Sequence, residues 1–193
     1  AEIKSGKKMI IKEVKTTAKK TFAPGLYDLT ELQRDANKRF GYSAKETLNI
    51  MQRLYESHKV LTYPRTDSRY ITTDVADTLK ERLKACSVGP YRKLAGSLSM
   101  RPIRKNASFV DNKKVTDHHA IIPTEQFVDL QTMTNEERKV YDLVVRRFLA
   151  VLLPAFEYDQ TVFTGGLAGE SFTAKGKIVK SKTPINGTVI SPM

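Results

Sequence analysis

The chain has 193 residues, of which 40% are apolar, and it carries a formal net charge of +12. This length is enough for one domain or two small ones. The longest apolar stretch, residues 148–153, is much shorter than the ~20 residues of a membrane-spanning helix, and the first residues lack the pattern of a secretory leader. Cys86 is the only cysteine, which excludes an intrachain disulfide and a thiolate metal site. We therefore expect a cytoplasmic protein without a membrane partner.

The positive charge is spread over several parts of the chain. Basic residues are dense near the N-terminus, between Arg101 and Lys114, and between Lys175 and Lys182. A strongly basic balance favours an anionic partner, and separated clusters suit a long polyanion better than a small metabolite. The alternative is a soluble protein whose surface happens to be basic. The N-terminal cluster consists of Lys4, Lys7, Lys8, Lys12, Lys15, Lys19 and Lys20.

The first predicted elements are a strand and a helix. Residues 8–22 alternate loosely between apolar and polar side chains, which predicts a strand, and Pro24-Gly25 closes the linker after it. Asp28 can cap a helix in which apolar residues recur every three to four positions. Gly41 is the predicted end of this helix.

A second helix is predicted directly afterwards, because Ser43 and Glu46 have the spacing of a capping box. The short connection between the two helices is typical of a helix-turn-helix arrangement. A β segment from Lys59 to Tyr63 is predicted next, so the order of elements indicates a winged-helix-like module. The predicted buried stripe of the second helix consists of Ala44, Leu48, Met51, Leu54 and Tyr55.

The rest of the helical region contains three more predicted helices. Val75, Leu79 and Leu83 indicate the first, and residues 91–98 form the second. A basic loop is predicted between residues 100 and 116. The longest helix follows a capping box that starts at Thr134, and it is expected to extend to about Leu152, before Pro154.

The C-terminal part is predicted to be β-structure, with strands at residues 155–164 and 170–180 on either side of Gly165-Gly166. Strands at both ends of a helical middle indicate an α+β fold in which a helical domain is inserted into a β-rich one. The predicted domains are residues 1–24 and 154–193 for the β-rich part and residues 25–153 for the helical part.

The stretch from Leu61 to Tyr70 holds the most informative motif. Tyr63 lies two residues before the guanidinium of Arg65 and next to a Thr-Asp-Ser cluster. Pro64 cannot donate a hydrogen bond to a strand neighbour, so the predicted strand should end there and leave Tyr63 at a rim. A tyrosine beside a cation can attack phosphate, although a strand that leaves into a turn would use the same residues.

This motif resembles the active-site segment of type IA DNA topoisomerases, and the proline after the tyrosine is most similar to the topoisomerase III branch. Residues 26–37 and 40–44 resemble the segment that opens the tyrosine-bearing domain, and residues 117–124 resemble the family's histidine motif. The four motifs occur in the family's order. Residues 182–193 match less well.

The resemblance implies a helical, CAP-like catalytic domain (domain III) on parts of a β-rich arch (domain II). The family's Toprim domain supplies a glutamate and an Asp-x-Asp cluster that binds Mg²⁺, and no such motif is found in this chain. The resemblance therefore implies a fragment whose partners are the Toprim and arch domains of the same enzyme. We expect Mg²⁺ to bind to the full-length enzyme and not to this chain.

The chemistry that the resemblance implies is transesterification of single-stranded DNA in the bacterial nucleoid. Tyr63 would form a 5′-phosphotyrosine, and rejoining after strand passage would give relaxation or decatenation. Arg65 and His118 match the family's phosphate-binding side chains, whereas we expect a capping or packing role for His119. The chain alone is expected to be inactive in relaxation. The competing hypothesis is a winged-helix DNA-binding module without catalysis. Site support is expected from Thr62, Thr66, Asp67 and Ser68, and DNA contacts from Lys38, Arg39, Lys45 and Arg69.

Overall fold

The computed structural model describes residues 10–103, 105–167 and 170–180. Sequence predictions for Lys4, Lys7, Lys8 and residues 182–193 lie outside this part. The described residues separate into two compact units, one formed by residues 10–22 with 154–180 and the other by residues 23–153. Correspondence of these units to the arch and tyrosine domains of the family stays a prediction.

The unit of residues 23–153 is helical. Helix α6 packs against both α1 and α2, and α4 packs against α5. Short 3₁₀ turns lie at Gly89–Tyr91, Asn112–Lys114 and Leu130–Thr132. The helices of the described part are α1 (Leu29–Phe40), α2 (Ala44–Glu56), α3 (Thr73–Asp77), α4 (Leu79–Ala85), α5 (Arg92–Ser99) and α6 (Asn135–Val151).

The predicted helix ends of α1 and α2 are confirmed, because each relies on local hydrogen bonds. Asp28 accepts a hydrogen bond from the backbone N–H of Glu31 (2.7 Å), and Gly41 adopts the left-handed conformation (φ 73°) that ends α1. At α2, the Ser43 hydroxyl accepts from the N–H of Glu46, whose carboxylate accepts from the N–H of Ser43. The same reciprocal pair, built by Thr134 and Glu137, starts α6.

Three sequence predictions are wrong in detail. The third predicted helix is divided into α3 and α4, since Thr78 leaves the helical conformation between them (φ −89°, ψ 0°). The predicted strand from Lys59 to Tyr63 is reduced to one isolated β-bridge, between Leu61 and Pro123. Gly165 and Gly166 do not separate two strands, because both lie within one of them.

The core of the helical unit is built from the apolar faces of its helices and from the segments that cross between them. Each fully buried aliphatic or aromatic side chain stabilises the fold by roughly 1.5–3 kcal/mol relative to exposure. Cys86 is buried in this core as a free thiol. The largest fully buried side chains include Tyr141, Phe109, Phe148, Leu32, Met51, Leu54, Leu61 and Ile121.

In its described residues, the other unit is an antiparallel sheet of three strands in the order β1 (Ile10–Thr21), β2 (Phe156–Leu167) and β3 (Glu170–Val179). A bulge at Lys12 interrupts the register between β1 and β2. Among the described residues, no helix is both long and apolar enough to cross a bilayer.

Candidate active site

The tyrosine segment begins where α2 ends. Lys59 takes a left-handed backbone conformation (φ 58°), which reverses the chain after the helix. The N–H of His58 donates to the carbonyl of Arg53 (3.1 Å), and the N–H of Val60 donates to that of Leu54 (3.0 Å). These bonds satisfy carbonyls that a helix end leaves without partners, so the start of the segment is fixed to α2.

Residues 61 and 62 are held against the histidine motif by hydrogen bonds that include a side chain. The N–H of Thr62 donates to the carbonyl of Ile122 (3.0 Å). In return, the N–H of Ile122 donates to the Thr62 hydroxyl oxygen (3.0 Å), and that hydroxyl donates to the carbonyl of Ala120 (3.2 Å). Thr62 therefore connects the two motifs directly, as a supporting residue would.

The ring of Tyr63 lies between two other rings. Its centroid is 4.3 Å from that of His118, with 40° between the planes, and 5.4 Å from that of Tyr55, which meets it at 80°. Tyr63 is half-buried and His118 is exposed. In the described part of the chain, the Tyr63 hydroxyl has no hydrogen-bond partner. The ring is thus held by packing while its oxygen is not engaged by a neighbouring described residue.

A second set of hydrogen bonds joins the residues after Tyr63 to His118 in the same motif and to Lys114, which precedes the motif. The Thr66 hydroxyl donates to the carbonyl of His118 (2.8 Å) and accepts from the N–H of Ser68 (3.1 Å). The Ser68 hydroxyl donates to the carbonyl of Lys114 (2.8 Å). Thr66 and Ser68 are buried, whereas Asp67 between them is exposed. Thr66 and Ser68 therefore make the local hydrogen bond of a turn and also bind carbonyls that are distant in the sequence, at His118 and Lys114.

Arg65 is exposed beside Tyr63 in the sequence and makes no ion pair within the described residues. Its guanidinium is therefore available to an anion. His119 differs from His118, because its Nδ1 contacts the carbonyl of Ala120 (2.7 Å). Burial is the main reason why the pKa of His119 lies below its ordinary value. The neutral imidazole fits the packing role predicted for this residue.

The predicted DNA contacts fall into two groups. Lys38 and Arg39 are exposed in the last turn of α1, and Lys45 is exposed in the first turn of α2. Arg69 is partly engaged, since its Nε donates to the carbonyl of Leu26 (3.2 Å) and lies 4.0 Å from a carboxylate oxygen of Asp28. Arg69 therefore also holds the start of α1 near the tyrosine segment.

Two features near the site were not predicted from the sequence. Tyr55 was assigned to the buried stripe of α2, but 38% of its surface is exposed and its ring contacts Tyr63. The ammonium of Lys114 lies 3.2 Å from the Tyr70 hydroxyl and 4.4 Å from the centre of its ring. In the sequence, the contact between Tyr55 and Tyr63 is indicated only by the position of Tyr55 in the last turn of α2, a few residues before Tyr63.

A buried carboxylate fixes the end of α2 to the start of α6. Glu137 accepts from Arg53 Nε (2.7 Å), lies 3.3 Å from His58 Nε2, and accepts from the N–H of Thr134 (2.9 Å). Burial acts to raise the pKa of Glu137, but these donors outweigh it and the net pKa is lowered. The carboxylate therefore stays ionised and holds the helix end from which the tyrosine segment departs.

A metal site formed by the protein needs several carboxylate or imidazole groups close together. Among the residues that the structure describes, no three His, Cys, Asp or Glu side chains lie close enough together to share a metal ion. The described donor set therefore does not fit Mg²⁺.

Comparison with known proteins identifies the family. A family model described as DNA topoisomerase matches residues 1–183. The chain belongs to this family, the type IA topoisomerases.

Its relatives are bacterial enzymes. The chain is 65% identical over 167 residues to DNA topoisomerase 3 of Bacillus anthracis, and these residues make up 86% of the chain. It is 55% identical over 177 residues, or 92% of the chain, to DNA topoisomerase 3 of Bacillus subtilis. The chain spans only 23% and 24% of the length of these two relatives, as expected of a fragment.

The fold is similar to that of a solved family member. Full-length topoisomerase I from Thermotoga maritima superposes with a TM-score of 0.64 at 25% sequence identity, covering 91% of this chain and 28% of that one. The mixed helical and three-stranded architecture is thus confirmed as a topoisomerase fold.

Proposed function

We propose that this chain supplies the nucleophile of a type IA DNA topoisomerase, which cleaves and rejoins one DNA strand. The observation that carries the proposal is the contact between Tyr63 and His118, whose ring centroids lie 4.3 Å apart although they belong to different motifs. The hydroxyls of Thr62 and Thr66 hold these motifs together through hydrogen bonds to residues 118–122. A half-buried tyrosine thus lies beside an imidazole and two residues before exposed Arg65.

The proposed reaction is a transesterification. The Tyr63 oxygen attacks a backbone phosphorus, an O–P bond forms, and the bond from phosphorus to the 3′ oxygen breaks. The phenol loses its proton and the departing 3′ oxygen gains one, so charge and protons balance. Rejoining is the reverse attack by the 3′ hydroxyl. The phosphotyrosine retains the energy of the phosphodiester, so resealing requires no ATP.

The side chains around Tyr63 have complementary roles in this proposal. The ordinary pKa of tyrosine is about 10, so attack at neutral pH requires deprotonation or stabilisation of the developing phenolate. Arg65 can bind two phosphate oxygens and offset the charge of the transition state. His118 is exposed and can donate to the same phosphate when protonated. Thr62, Thr66 and Ser68 position these groups without contacting the substrate.

The DNA strand is proposed to approach over the α1–α2 connection, where Lys38, Arg39 and Lys45 are exposed. In this respect the pair of helices has the role of a winged-helix reader, with the bridged segment at Leu61 in place of a full wing strand. Contacts to phosphate give affinity and orientation without a sequence preference. Single-stranded DNA is the proposed substrate, and the bacterial nucleoid is the proposed location.

The complete reaction is proposed to require parts of the enzyme outside this chain. When bound to a Toprim domain, Mg²⁺ would supply positive charge near the phosphate. We expect no relaxation of supercoiled DNA by the chain alone, because the described residues provide no acidic metal cluster. Robust Mg²⁺-dependent relaxation by the purified chain would contradict this part of the proposal.

A covalent-capture assay tests the proposed function. The chain is mixed with single-stranded DNA and with a separately produced Toprim-containing portion of a Bacillus relative, and the mixture is denatured before electrophoresis. DNA labelled at either end distinguishes attachment to the 5′ phosphate from attachment to the 3′ phosphate. We expect an adduct through the 5′ phosphate that requires both proteins and is absent with Tyr63→Phe.

The outcomes separate the two candidate functions. An adduct that persists in Tyr63→Phe would reject Tyr63 as the nucleophile. DNA binding without any adduct would support the non-catalytic DNA-binding module instead, provided that the full-length Bacillus relative forms an adduct under the same conditions. Near-equal noncovalent binding by the wild type and Tyr63→Phe is expected, since the ring is retained.

A further inference from the structure

The three-stranded sheet has two chemically different faces. Residues that oppose each other in an antiparallel register point to the same side, so the pairing of Lys15 with Val162 and Lys175 defines one side. The pairing of Val14 with Phe163 and Ala174 defines the other side. On this second side, called the apolar face, lie Ile11, Val14, Phe163, Phe172, Ala174 and Ile178.

The first side is rich in lysine and is called the lysine face. Its lysines are exposed, and Glu13 is the one carboxylate that the register of the described strands places among them. Lys12 belongs to this side because its Cε lies 3.1 Å from the position that a Cβ on Gly166 would occupy. The lysines of this face are Lys12, Lys15, Lys19, Lys175 and Lys177.

Side-chain contacts agree with this assignment of faces. The ammonium of Lys177 lies 5.0 Å from the ring centre of Tyr158, which the register places on the lysine face. On the opposite side, Lys20 pairs with Glu157 at 2.7 Å. Lys180, at the end of β3, pairs with Asp159 at 2.8 Å. Lys20 and Lys180 are thus paired with carboxylates, whereas Lys177 on the lysine face contacts an aromatic ring.

Within the described residues, none of the five lysines on the lysine face makes an ion pair. The ammonium of Lys177 lies over the Tyr158 ring but has no carboxylate partner there, whereas those of Lys20 and Lys180 are neutralised by neighbouring carboxylates. Lys12 and Lys19 are about 20 Å apart along β1 at ~3.3 Å per residue. Lys15 and Lys175 are about 10 Å apart across β2, given the ~4.8 Å between neighbouring strands. These dimensions describe a charged surface, not a pocket for a small anion.

We propose that the lysine face is a second DNA-binding surface, which contacts the phosphate backbone independently of the tyrosine site. A length of about 20 Å corresponds to roughly six nucleotides of a strand at ~3.4 Å each. Beside Val162, Tyr158 and Val179, this face offers Lys ammonium groups and hydroxyls of Thr and Ser, which suit phosphate contacts without base recognition. The identity of the polyanion as DNA rests on the proposed function, whereas the location of the surface rests on the sheet alone.

The test compares two charge-matched variants of the whole chain. The face variant is Lys15→Gln/Lys175→Gln/Lys177→Gln. The control variant replaces Lys20, Lys180 and exposed Lys80 of α4 with Gln. The affinity of each protein for fluorescent single-stranded DNA and for the corresponding duplex is measured as a function of salt. Lys177→Arg keeps the charge and is included to show that substitution on the face is tolerated.

Loss of three phosphate contacts should lower the slope of log affinity against log salt by about 2 to 3. Between ~50 and ~200 mM salt, the advantage of the wild type over the face variant should therefore shrink by about 16- to 64-fold. The control variant should change the slope by less than about 1, because its lysines are paired or lie elsewhere. Lys177→Arg should bind like the wild type.

Equal slope changes in the face and control variants would overturn the proposal, since net charge alone would then explain binding. An unchanged slope in the face variant would also overturn it, and an acidic protein partner would become the better occupant. Circular dichroism establishes that the face variant is folded. Adduct formation at Tyr63, measured with the Toprim-containing portion, should persist in the face variant. If neither the wild type nor the face variant forms this adduct, the proposed function fails, and the proposal for the lysine face is judged by the salt dependence alone.

Discussion

Thr66→Val should both destabilise the helical unit and loosen the contact between the two motifs of the site. Valine keeps the shape of threonine but removes the hydroxyl that donates to the carbonyl of His118 at 2.8 Å and accepts from the N–H of Ser68 at 3.1 Å. Thr66 and Ser68 are only 7% and 6% exposed, so water does not easily replace the lost partner.

The expected cost follows from these two hydrogen bonds. A typical net contribution is about 1 kcal/mol each, and a buried group left without a partner costs about 1–3 kcal/mol. The free energy of unfolding should therefore fall by about 2–4 kcal/mol. Thr66→Ser is the matched control, because it keeps the hydroxyl and removes one methyl, at a cost of about 1 kcal/mol.

Two measurements check this prediction. Urea denaturation monitored by helical circular dichroism gives the change in stability, and hydrogen exchange gives the local effect at the N–H of Ser68. That amide should exchange faster in Thr66→Val and remain protected in Thr66→Ser. A loss of stability below ~0.5 kcal/mol in Thr66→Val, with unchanged exchange at Ser68, would refute the assigned role of this hydroxyl.

Three further predictions concern buried groups. Glu137→Gln should lower the free energy of unfolding at neutral pH. This loss should shrink as the pH falls below the ordinary glutamate pKa of 4.5, because the pKa of Glu137 is lowered in the folded protein and the wild type loses stability when this carboxylate is protonated. Unfolding curves measured across pH test it. The Cys86 thiol is buried and its pKa is raised to about 12, so it should resist a thiol reagent at pH ~8 until denaturant is added. Arg82→Met should cost about 2–4 kcal/mol in thermal unfolding, because Arg82 donates to the buried carbonyl of Pro123 (2.8 Å) and pairs with Glu125 (2.8 Å).

Each of these has a distinct contradicting outcome. A deficit in Glu137→Gln that is independent of pH would show that the carboxylate charge contributes nothing. Fast reaction of Cys86 in the native protein would mean that the core around α4 opens readily. Arg82→Met within ~0.5 kcal/mol of the wild type would show that the two contacts of the guanidinium contribute little to stability.

Local chemistry made much of the helical unit predictable. Capping side chains at Asp28, Ser43 and Thr134 act within one turn of their helices, so their spacing in the sequence is sufficient. Gly41 is similarly informative, since its left-handed backbone (φ 73°) carries no penalty for glycine. Strand β2 was predicted in position but not in length, because Gly165 continues the ladder by pairing with Ile11 and Phe172.

Long-range pairing was the part that the sequence could not specify. The segment from Lys59 to Tyr63 has the composition of a strand, but Pro64 and Pro123 have no N–H to donate to a ladder. In addition, the N–H of Ile122 donates to the Thr62 hydroxyl rather than to a backbone carbonyl. Among the described residues, this segment then forms a single β-bridge, between Leu61 and Pro123. Helical periodicity placed Tyr55 in the core, whereas its position in the last turn of α2 lets its ring reach Tyr63.

The candidate site shows the same division. The types and order of Tyr63, Arg65 and His118 could be read from motifs, and the proximity of Tyr63 and His118 is what folding adds. Nothing in the sequence indicates that Arg69 would be occupied by the carbonyl of Leu26. Nor does it indicate that the five exposed lysines would share one side of the sheet, because that depends on the register and on the bulge at Lys12.

The most direct test of the central claim is to identify the residue that becomes linked to DNA. The adduct formed with the Toprim-containing portion is digested with protease and nuclease, and the remaining nucleotide-bearing peptide is sequenced by mass spectrometry. The account predicts a nucleotide 5′-phosphate on Tyr63, with unmodified Tyr55 and Tyr70. Attachment to any other residue, or to Tyr63 through a 3′ phosphate, would contradict it.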